Sequence, residues 1–222
     1  MSIRPEQPRR RDVLLGLGGL ACGLAASSAD AASADAERPY VKKVSSFLEF
    51  RHRNVVLQRW DLSCGAASLA TLLAYQHEDP VPEQEIAEAM LKAGDPERIR
   101  THLGFSLLDL KRYVQTRGYL GEGYGQLGLS DRAELAPAIT PIRISTYDHF
   151  VIFRGVAKGR AVLADSAYGN RTMLAEGFLG VWRGQVAFVV KQPGEAAGRA
   201  APGLDDKQLQ LVDPAAIRAS GS

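Results

Sequence analysis

The spacing of apolar residues changes along this chain, from a helical period in its first half to extended runs in its second half. Residues 64–75 are rich in Ala and Leu, contain no Pro and are apolar on most sides, which is typical of a buried helix. Ser63 and Asp61 precede this stretch as candidate caps. The pattern therefore places Cys64 in the first turn of a buried helix.

Two amphipathic helices are predicted after the buried one. The first begins at residues 82–83 and ends before Gly94, and all of its glutamates are expected to face water. The second begins at Ser106, where Asp109 completes a capping box, and it ends at residue 118. The first half of the chain is thus predicted to be helical.

Apolar runs with β-branched residues replace the helical period farther along the chain. Strands are predicted at residues 139–145, 149–156, 160–165 and 185–191. A short turn joins the second and third of these strands as a hairpin. The glycines between residues 118 and 128 match no phosphate-binding motif and predict a loop that borders the cleft. Helices followed by antiparallel strands indicate an α+β domain.

Composition limits the chain to one domain with tails. The 222 residues, of which 45% are hydrophobic and 23% charged, can bury one ordinary core. We expect a linker over residues 37–54, a domain over residues 55–191 and a flexible tail over residues 192–222. The 27 basic and 25 acidic residues nearly cancel, so the charge pattern argues against nucleic acid as a partner.

Residues 1–36 have the pattern of an export signal. Three consecutive arginines precede an apolar run over residues 13–26, which is too short to favour a membrane span. The pair Arg10-Arg11 resembles a twin-arginine signal. Two small-x-small sequences near the end of this segment offer cleavage sites, and the sequence does not choose between them. We expect a periplasmic or extracellular protein with no stable membrane span after cleavage.

Of the two cysteines, Cys64 alone remains once the signal is removed. Lipidation of Cys22, or a disulfide between Cys22 and Cys64 if the leader is retained, stays open as an alternative. A thiol at a helix start suits nucleophilic chemistry, because the helix N-terminus and a nearby imidazolium both favour the thiolate. Gly65 leaves the approach to the sulfur open, and Gln58, six positions before the cysteine, could donate to an oxyanion.

His149 opens a predicted strand, which would hold a catalytic base rigidly. Asp165 ends the strand after the hairpin, 16 residues on, so antiparallel pairing can return it to a position beside His149. Asp148 is an alternative partner for the histidine. These residues predict a Cys-His-Asp arrangement for nucleophilic catalysis.

The sequence at these positions resembles the bacteriocin-processing, double-glycine-type peptidases among the papain-like cysteine peptidases. The residues that carry the resemblance are Gln58, Ser63-Cys64-Gly65-Ala66-Ala67-Ser68-Leu69, His149-Phe150-Val151-Ile152, Asp165 and Gly169. The resemblance implies an α+β papain-like fold, a triad of Cys64, His149 and Asp165, and Gln58 as oxyanion donor. Two positions depart from the family pattern, which usually has Asp where Ser63 stands and Pro where Ser166 stands.

The resemblance implies cleavage of leader or precursor peptides, often after paired glycines. Familiar members are often fused to a transporter, and because neither membrane spans nor an ATPase are expected here, we predict another secreted or surface-assembled polypeptide as substrate. The predicted function is that of an exported cysteine endopeptidase that needs no cofactor or metal. Acyl transfer to another amine, as in a transpeptidase, and a non-catalytic peptide-binding module remain alternatives.

Overall fold

A sheet with helices on both faces positions the site. The computed structural model describes residues 46–101 and 104–196, and over these residues the chain forms seven helices and one six-stranded sheet. The helices are α1 Phe47–His52, α2 Cys64–Gln76, α3 Glu83–Ala93, α4 Pro96–Thr101, α5 Leu107–Thr116, α6 Leu129–Leu135 and α7 Ala175–Val181. The strands are β1 Leu120–Tyr124, β2 Ala138–Ile144, β3 Tyr147–Ala157, β4 Arg160–Asp165, β5 Gly169–Leu174 and β6 Ala187–Lys191.

The strands lie in the order β1-β6-β2-β3-β4-β5, and each pair of neighbours is antiparallel. The predicted hairpin joins β3 to β4 through Lys158 and Gly159, whose φ angles of 50° and 71° suit a tight two-residue turn. Helices followed by an antiparallel sheet confirm the α+β class.

Two apolar layers hold the sheet between helices. On one face, α2, α3 and α5 contribute buried side chains that pack against Ile139, Ile152 and Phe188 of the sheet. On the other face, Phe178 of α7 stacks on Phe153 of β3, with ring centroids 5.3 Å apart. Burial of apolar area from both faces makes the central strands rigid.

The three long helices lie where their patterns predict them. The capping box at Ser106 is present, with its hydroxyl accepting from the Asp109 amide and the Asp109 carboxylate accepting from the Ser106 amide. Gly94 is the C-cap of α3. Ser63 is the N-cap residue of α2, as predicted, but its side chain makes no capping bond, and Asp61 is not the N-cap.

The glycine-rich segment predicted as a loop contains β1, so that prediction is wrong. β1 is an edge strand at the end of the sheet remote from β4 and β5, and it therefore does not border the cleft. Gly121 is required there because a Cβ atom would lie 2.7 Å from the Phe188 ring and 2.9 Å from Val114. Gly121 thus allows close packing, whereas no atom lies within 4 Å of a Cβ atom added at Gly123 or Gly125.

Several short elements were not predicted. β5, α4, α6 and α7 follow sequences with weak periodicity, and α1 lies within the predicted linker. α1 packs closely against the start of β5, because a Cβ atom added at Gly169 would lie 2.5 Å from the Arg51 carbonyl oxygen. The predicted export signal, the first part of the linker and the tail beyond residue 196 lie outside the described residues.

Candidate active site

Cys64 is the first residue of α2 and is buried at one wall of a cleft of about 290 Å³. The cleft is also lined by His149, Phe150, Phe105, Pro141 and Arg183. The Ser68 hydroxyl of α2 donates to the Phe150 carbonyl at 3.4 Å, which connects the helix that begins at Cys64 to the strand that carries His149. Cys64 and His149, far apart in sequence, therefore face one cleft.

The sheet register brings His149 to Asp165. Asp165 pairs with Val151, two residues beyond His149, so the two side chains are diagonal neighbours on one face of the sheet. His149 Nε2 and Asp165 Oδ1 are 2.8 Å apart, and both side chains are almost fully buried. The Ala167 amide also donates to Asp165 Oδ1, at 2.9 Å.

Arg171 extends this diagonal to β5, and the sequence analysis missed it. Asp165 pairs with Gly169, two residues before Arg171, so the guanidinium lies on the same sheet face. Its Nη2 lies 2.8 Å from Asp165 Oδ2, and its side chain is 12% exposed. Prediction of β5 would have revealed Arg171 by the same pairing argument that relates Asp165 to His149.

The environment raises the pKa of His149 and lowers that of Asp165. Burial alone would lower the pKa of His149, but hydrogen bonds with Asp165 and Cys64 outweigh it and raise the pKa to about 9. Burial opposes ionisation of Asp165, and its hydrogen bond with His149, the two neighbouring cations and the Ala167 amide together lower its pKa. Since Nε2 faces Asp165, the other ring nitrogen is left for Cys64.

Asp148, the alternative partner, also lines the cleft, but its carboxylate pairs with arginines. Its carboxylate is more than half exposed, and it accepts two hydrogen bonds from Arg143, at 2.7 and 3.0 Å. Arg183 Nε lies 3.5 Å from the same carboxylate. The buried hydrogen bond of His149 is thus made with Asp165.

Gln58 lies in the loop before Cys64 and bonds Ser166, the residue that follows Asp165. Its Oε1 accepts from the Ser166 hydroxyl at 2.9 Å, and its backbone amide donates to the Ser166 carbonyl at 2.8 Å. Nε2 donates to the Trp60 carbonyl at 3.2 Å. A side-chain amide has two N–H groups, so one donor remains after that bond.

The prediction that all glutamates of α3 face water is wrong for Glu83. The side chain is buried, and its carboxylate accepts from the Arg59 amide, at 3.1 and 3.2 Å to its two oxygens. It also bonds the Ser63 hydroxyl. Helical period alone assigned Glu83 to the polar side, whereas the 58–63 loop covers it.

Gly65 has a packing role beyond the one predicted. A Cβ atom there would lie 3.2 Å from a Leu110 methyl group and 3.4 Å from the Phe150 ring. Its absence lets the first turn of α2 lie close to α5 and β3. Gly65 therefore helps bring Cys64 to the strand that carries His149.

Within residues 46–101 and 104–196, no group of three or more His, Cys, Asp and Glu side chains could hold a metal ion. No helix among those residues is long and apolar enough to cross a bilayer.

A sequence model described as the Peptidase C39 family matches residues 52–194, more than half of the chain. The chain belongs to the Peptidase C39 family. This C39 chain is 37% identical over 151 residues to a Pseudomonas aeruginosa protein described as "Probable functional amyloid protease FapD", a match that covers 68% of the chain and 66% of the relative. A Pseudomonas fluorescens protein of the same description is 36% identical over 174 residues, covering 78% and 71%. The C39 chain spans about two thirds of these relatives' length.

Solved structures agree on the fold of the C39 chain. The peptidase domain of Streptococcus ComA, a bifunctional ABC transporter, superposes with a TM-score of 0.53 at 19% identity, covering 64% of this chain and 99% of that domain. A double glycine motif protease from an AMS/PCAT transporter, solved with its leader peptide, gives 0.50 at 24% identity, covering 62% and 90%. The resemblance to double-glycine peptidases and the papain-like fold are confirmed, and the chain is a cysteine peptidase.

Proposed function

We propose that this protein is an exported cysteine endopeptidase that cleaves a secreted or surface-assembled polypeptide. Cys64 acts as nucleophile, His149 as acid and base, Asp165 as the group that orients the imidazole, and Gln58 as an oxyanion donor. The observation that carries this proposal is the buried His149–Asp165 hydrogen bond in the cleft that Cys64 lines. No metal or cofactor takes part in the proposed steps.

The proposed chemistry has two stages. The Cys64 thiolate attacks the scissile carbonyl carbon, and the resulting oxyanion accepts hydrogen bonds from Gln58 and the first amides of α2. Collapse breaks the C–N bond, and the His149 imidazolium gives its proton to the leaving amine. His149 then takes a proton from water, which attacks the thioester; the C–S bond breaks, releasing the carboxylic acid and restoring the Cys64 thiolate beside the His149 imidazolium.

The electrostatics support these roles. An imidazolium with a pKa of about 9 is protonated at neutral pH, as donation to the leaving amine requires. Asp165 stabilises that charge and presents one oxygen to Nε2, while Arg171 holds the other oxygen. The Cys64 thiolate would complete an ion pair with His149.

The substrate class is inferred from the relatives and from the N-terminal sequence. The name of the Pseudomonas relatives favours a polypeptide of a functional amyloid system as the substrate. The pattern of residues 1–36 supports export to the periplasm or beyond, through a twin-arginine-like signal, with residues 192–222 as a tail. Lipidation at Cys22 is the alternative mode of retention.

Candidate exported polypeptides should be incubated with the purified full chain and with Cys64→Ala. Cleavage by the wild type and none by Cys64→Ala is expected, while Cys22→Ala, the same change at the other cysteine, should cleave normally. Equal processing by Cys64→Ala would refute the proposal. Binding without cleavage by the wild type would instead favour a non-catalytic peptide-binding module.

The reaction products distinguish acyl transfer to an amine from hydrolysis. The reaction should be repeated with an added primary amine and the new C-termini examined by mass spectrometry. Hydrolysis predicts free carboxylates under both conditions. An amide product that dominates at low amine concentration would identify a transpeptidase on the same fold.

A further inference from the structure

The 58–63 loop, which contains Gln58 and leads directly into Cys64, is held at both ends by buried side chains that lie outside it. Glu83 of α3 holds the part that contains Arg59 and Ser63. Ser166, next to Asp165, holds the part that contains Gln58. Neither Glu83 nor Ser166 has a role in the proposed steps.

Glu83 is the first residue of α3 and is only 5% exposed. A buried carboxylate is costly unless it accepts hydrogen bonds, and here the N–H of Arg59 and the hydroxyl of Ser63 supply them. The Ser63 hydroxyl also accepts from the Trp60 amide at 3.3 Å. These bonds fix the loop immediately before the nucleophile, and Ser63 makes them instead of capping α2.

Ser166 holds the other end through two bonds with one residue. Its hydroxyl donates to Gln58 Oε1 at 2.9 Å, and its carbonyl accepts from the Gln58 amide at 2.8 Å. Ser166 is 2% exposed and directly follows Asp165. Because a carbonyl only accepts, the bond to the Trp60 carbonyl requires Nε2 on that side of the Gln58 amide and leaves Oε1 for the Ser166 hydroxyl.

We propose that Glu83 and Ser166 are positioning residues for the oxyanion hole. They hold the 58–63 loop so that the remaining Gln58 N–H and the Cys64 amide converge on the developing oxyanion. This inference rests on the proposed role of Cys64 as nucleophile. Oxyanion stabilisation depends on donors that are in place before the charge develops, so a small shift of the loop slows acylation.

Two small reagents distinguish an effect on the oxyanion hole from an effect on the reactivity of the Cys64 thiol. Iodoacetamide reacts at a tetrahedral carbon and forms no oxyanion, so its rate reports the reactivity of Cys64 alone. p-Nitrophenyl acetate acylates the thiol through a tetrahedral oxyanion, so its burst of nitrophenol also requires the hole. Both rates should be measured on the full chain, with mass spectrometry of the Cys64 peptide to exclude Cys22.

We expect Glu83→Gln and Ser166→Ala to slow acylation about 10- to 100-fold, with the iodoacetamide rate and its pH profile within about twofold of wild type. Glu85→Gln, on the exposed side of the same helix, and Ser130→Ala in α6 are matched controls that should change neither rate. Circular dichroism before and after heating establishes that each variant is folded. If Glu83→Gln fails to fold, Ser166→Ala decides the question.

Wild-type acylation rates in folded Glu83→Gln and Ser166→Ala would overturn the inference. A parallel loss of both rates would also overturn it, since the residues would then act on the thiol. A nitrophenol burst that is equal in wild type and Cys64→Ala would instead contradict the proposed function itself. The two failures are therefore distinguishable.

Discussion

His149, Asp165 and Arg171 lie on three adjacent strands, whereas Gln58 and Cys64 lie in a loop and at the helix start that follows it. On the strand side, pairing alone makes the three side chains diagonal neighbours on one sheet face. On the loop side, backbone geometry is set by side chains that are distant in sequence. Glu83 is 24 residues from Arg59, and Ser166 is 108 residues from Gln58.

The difference suggests a division of tasks between the two regions. The strand side determines the protonation of His149, because the carboxylate and the second cation are held within a rigid sheet. In the proposed mechanism, the loop side determines how well negative charge on the substrate is stabilised. Changes on the strand side should therefore alter pH dependence and stability, while changes on the loop side should alter acylation.

The largest effect is expected for His149→Ala. Loss of the acid and base should reduce peptide cleavage by at least about 10⁴-fold, and the iodoacetamide rate at neutral pH should fall with it, because the thiolate loses its partner. His52→Ala, an exposed histidine, is the matched control and should leave both rates unchanged. Rapid alkylation in His149→Ala would show that the thiol is activated without the imidazole.

Asp165→Asn should have the next largest effect, about 10²- to 10⁴-fold on kcat/KM. The raised pKa of His149 contributes stability that is present below about pH 6.5 and is lost as the pH rises through about 9. Wild-type activity should therefore decline near pH 9, and the alkaline limb of Asp165→Asn should move to lower pH. Asp148→Asn should keep the wild-type profile, and a shifted profile there would favour Asp148 as the partner.

Arg171→Met should lower the free energy of unfolding by up to about 3 kcal/mol at neutral pH, because it removes one of the two cations beside the buried Asp165 carboxylate. The lowered pKa of Asp165 contributes stability that is present above its unfolded value and is lost as the pH falls, so the difference should shrink in acid. Urea unfolding at several pH values measures it. Arg183→Met, on the exposed pair with Asp148, should change stability by less than about 1 kcal/mol.

The smallest effects are expected at two glycines with positive φ, Gly159 in the β3–β4 turn and Gly169 at the start of β5. Gly159→Ala should cost about 1 kcal/mol, because φ is +71° and no atom lies within 4 Å of the new Cβ. Gly169→Ala, with φ of +82° and the Arg51 carbonyl 2.5 Å away, should cost more and disturb the β4–β5 end near Asp165. Equal unfolding free energies of the two variants would show that α1 moves away from the new Cβ atom at no energetic cost.

Much of the fold follows from local patterns. The buried helix with Cys64, the capped helix after Ser106, and the tight turn between β3 and β4 each depend on residues within a few positions of one another. β1 pairs with β6, which is distant in sequence, while β5 pairs with the neighbouring β4, and the sequences of both strands carry few apolar residues. Both escaped prediction for that reason.

By itself, the sequence determined which residues can do thiol chemistry and that a hairpin returns Asp165 toward His149, because helical period, turn geometry and strand pairing are short-range properties. Only the tertiary structure decided that Asp165 and not Asp148 makes the buried bond, that Arg171 joins it, and that Glu83 is covered by the 58–63 loop. Burial depends on what the rest of the chain places over a side chain. A pattern of neighbouring residues does not show which distant segment will bury a given side chain.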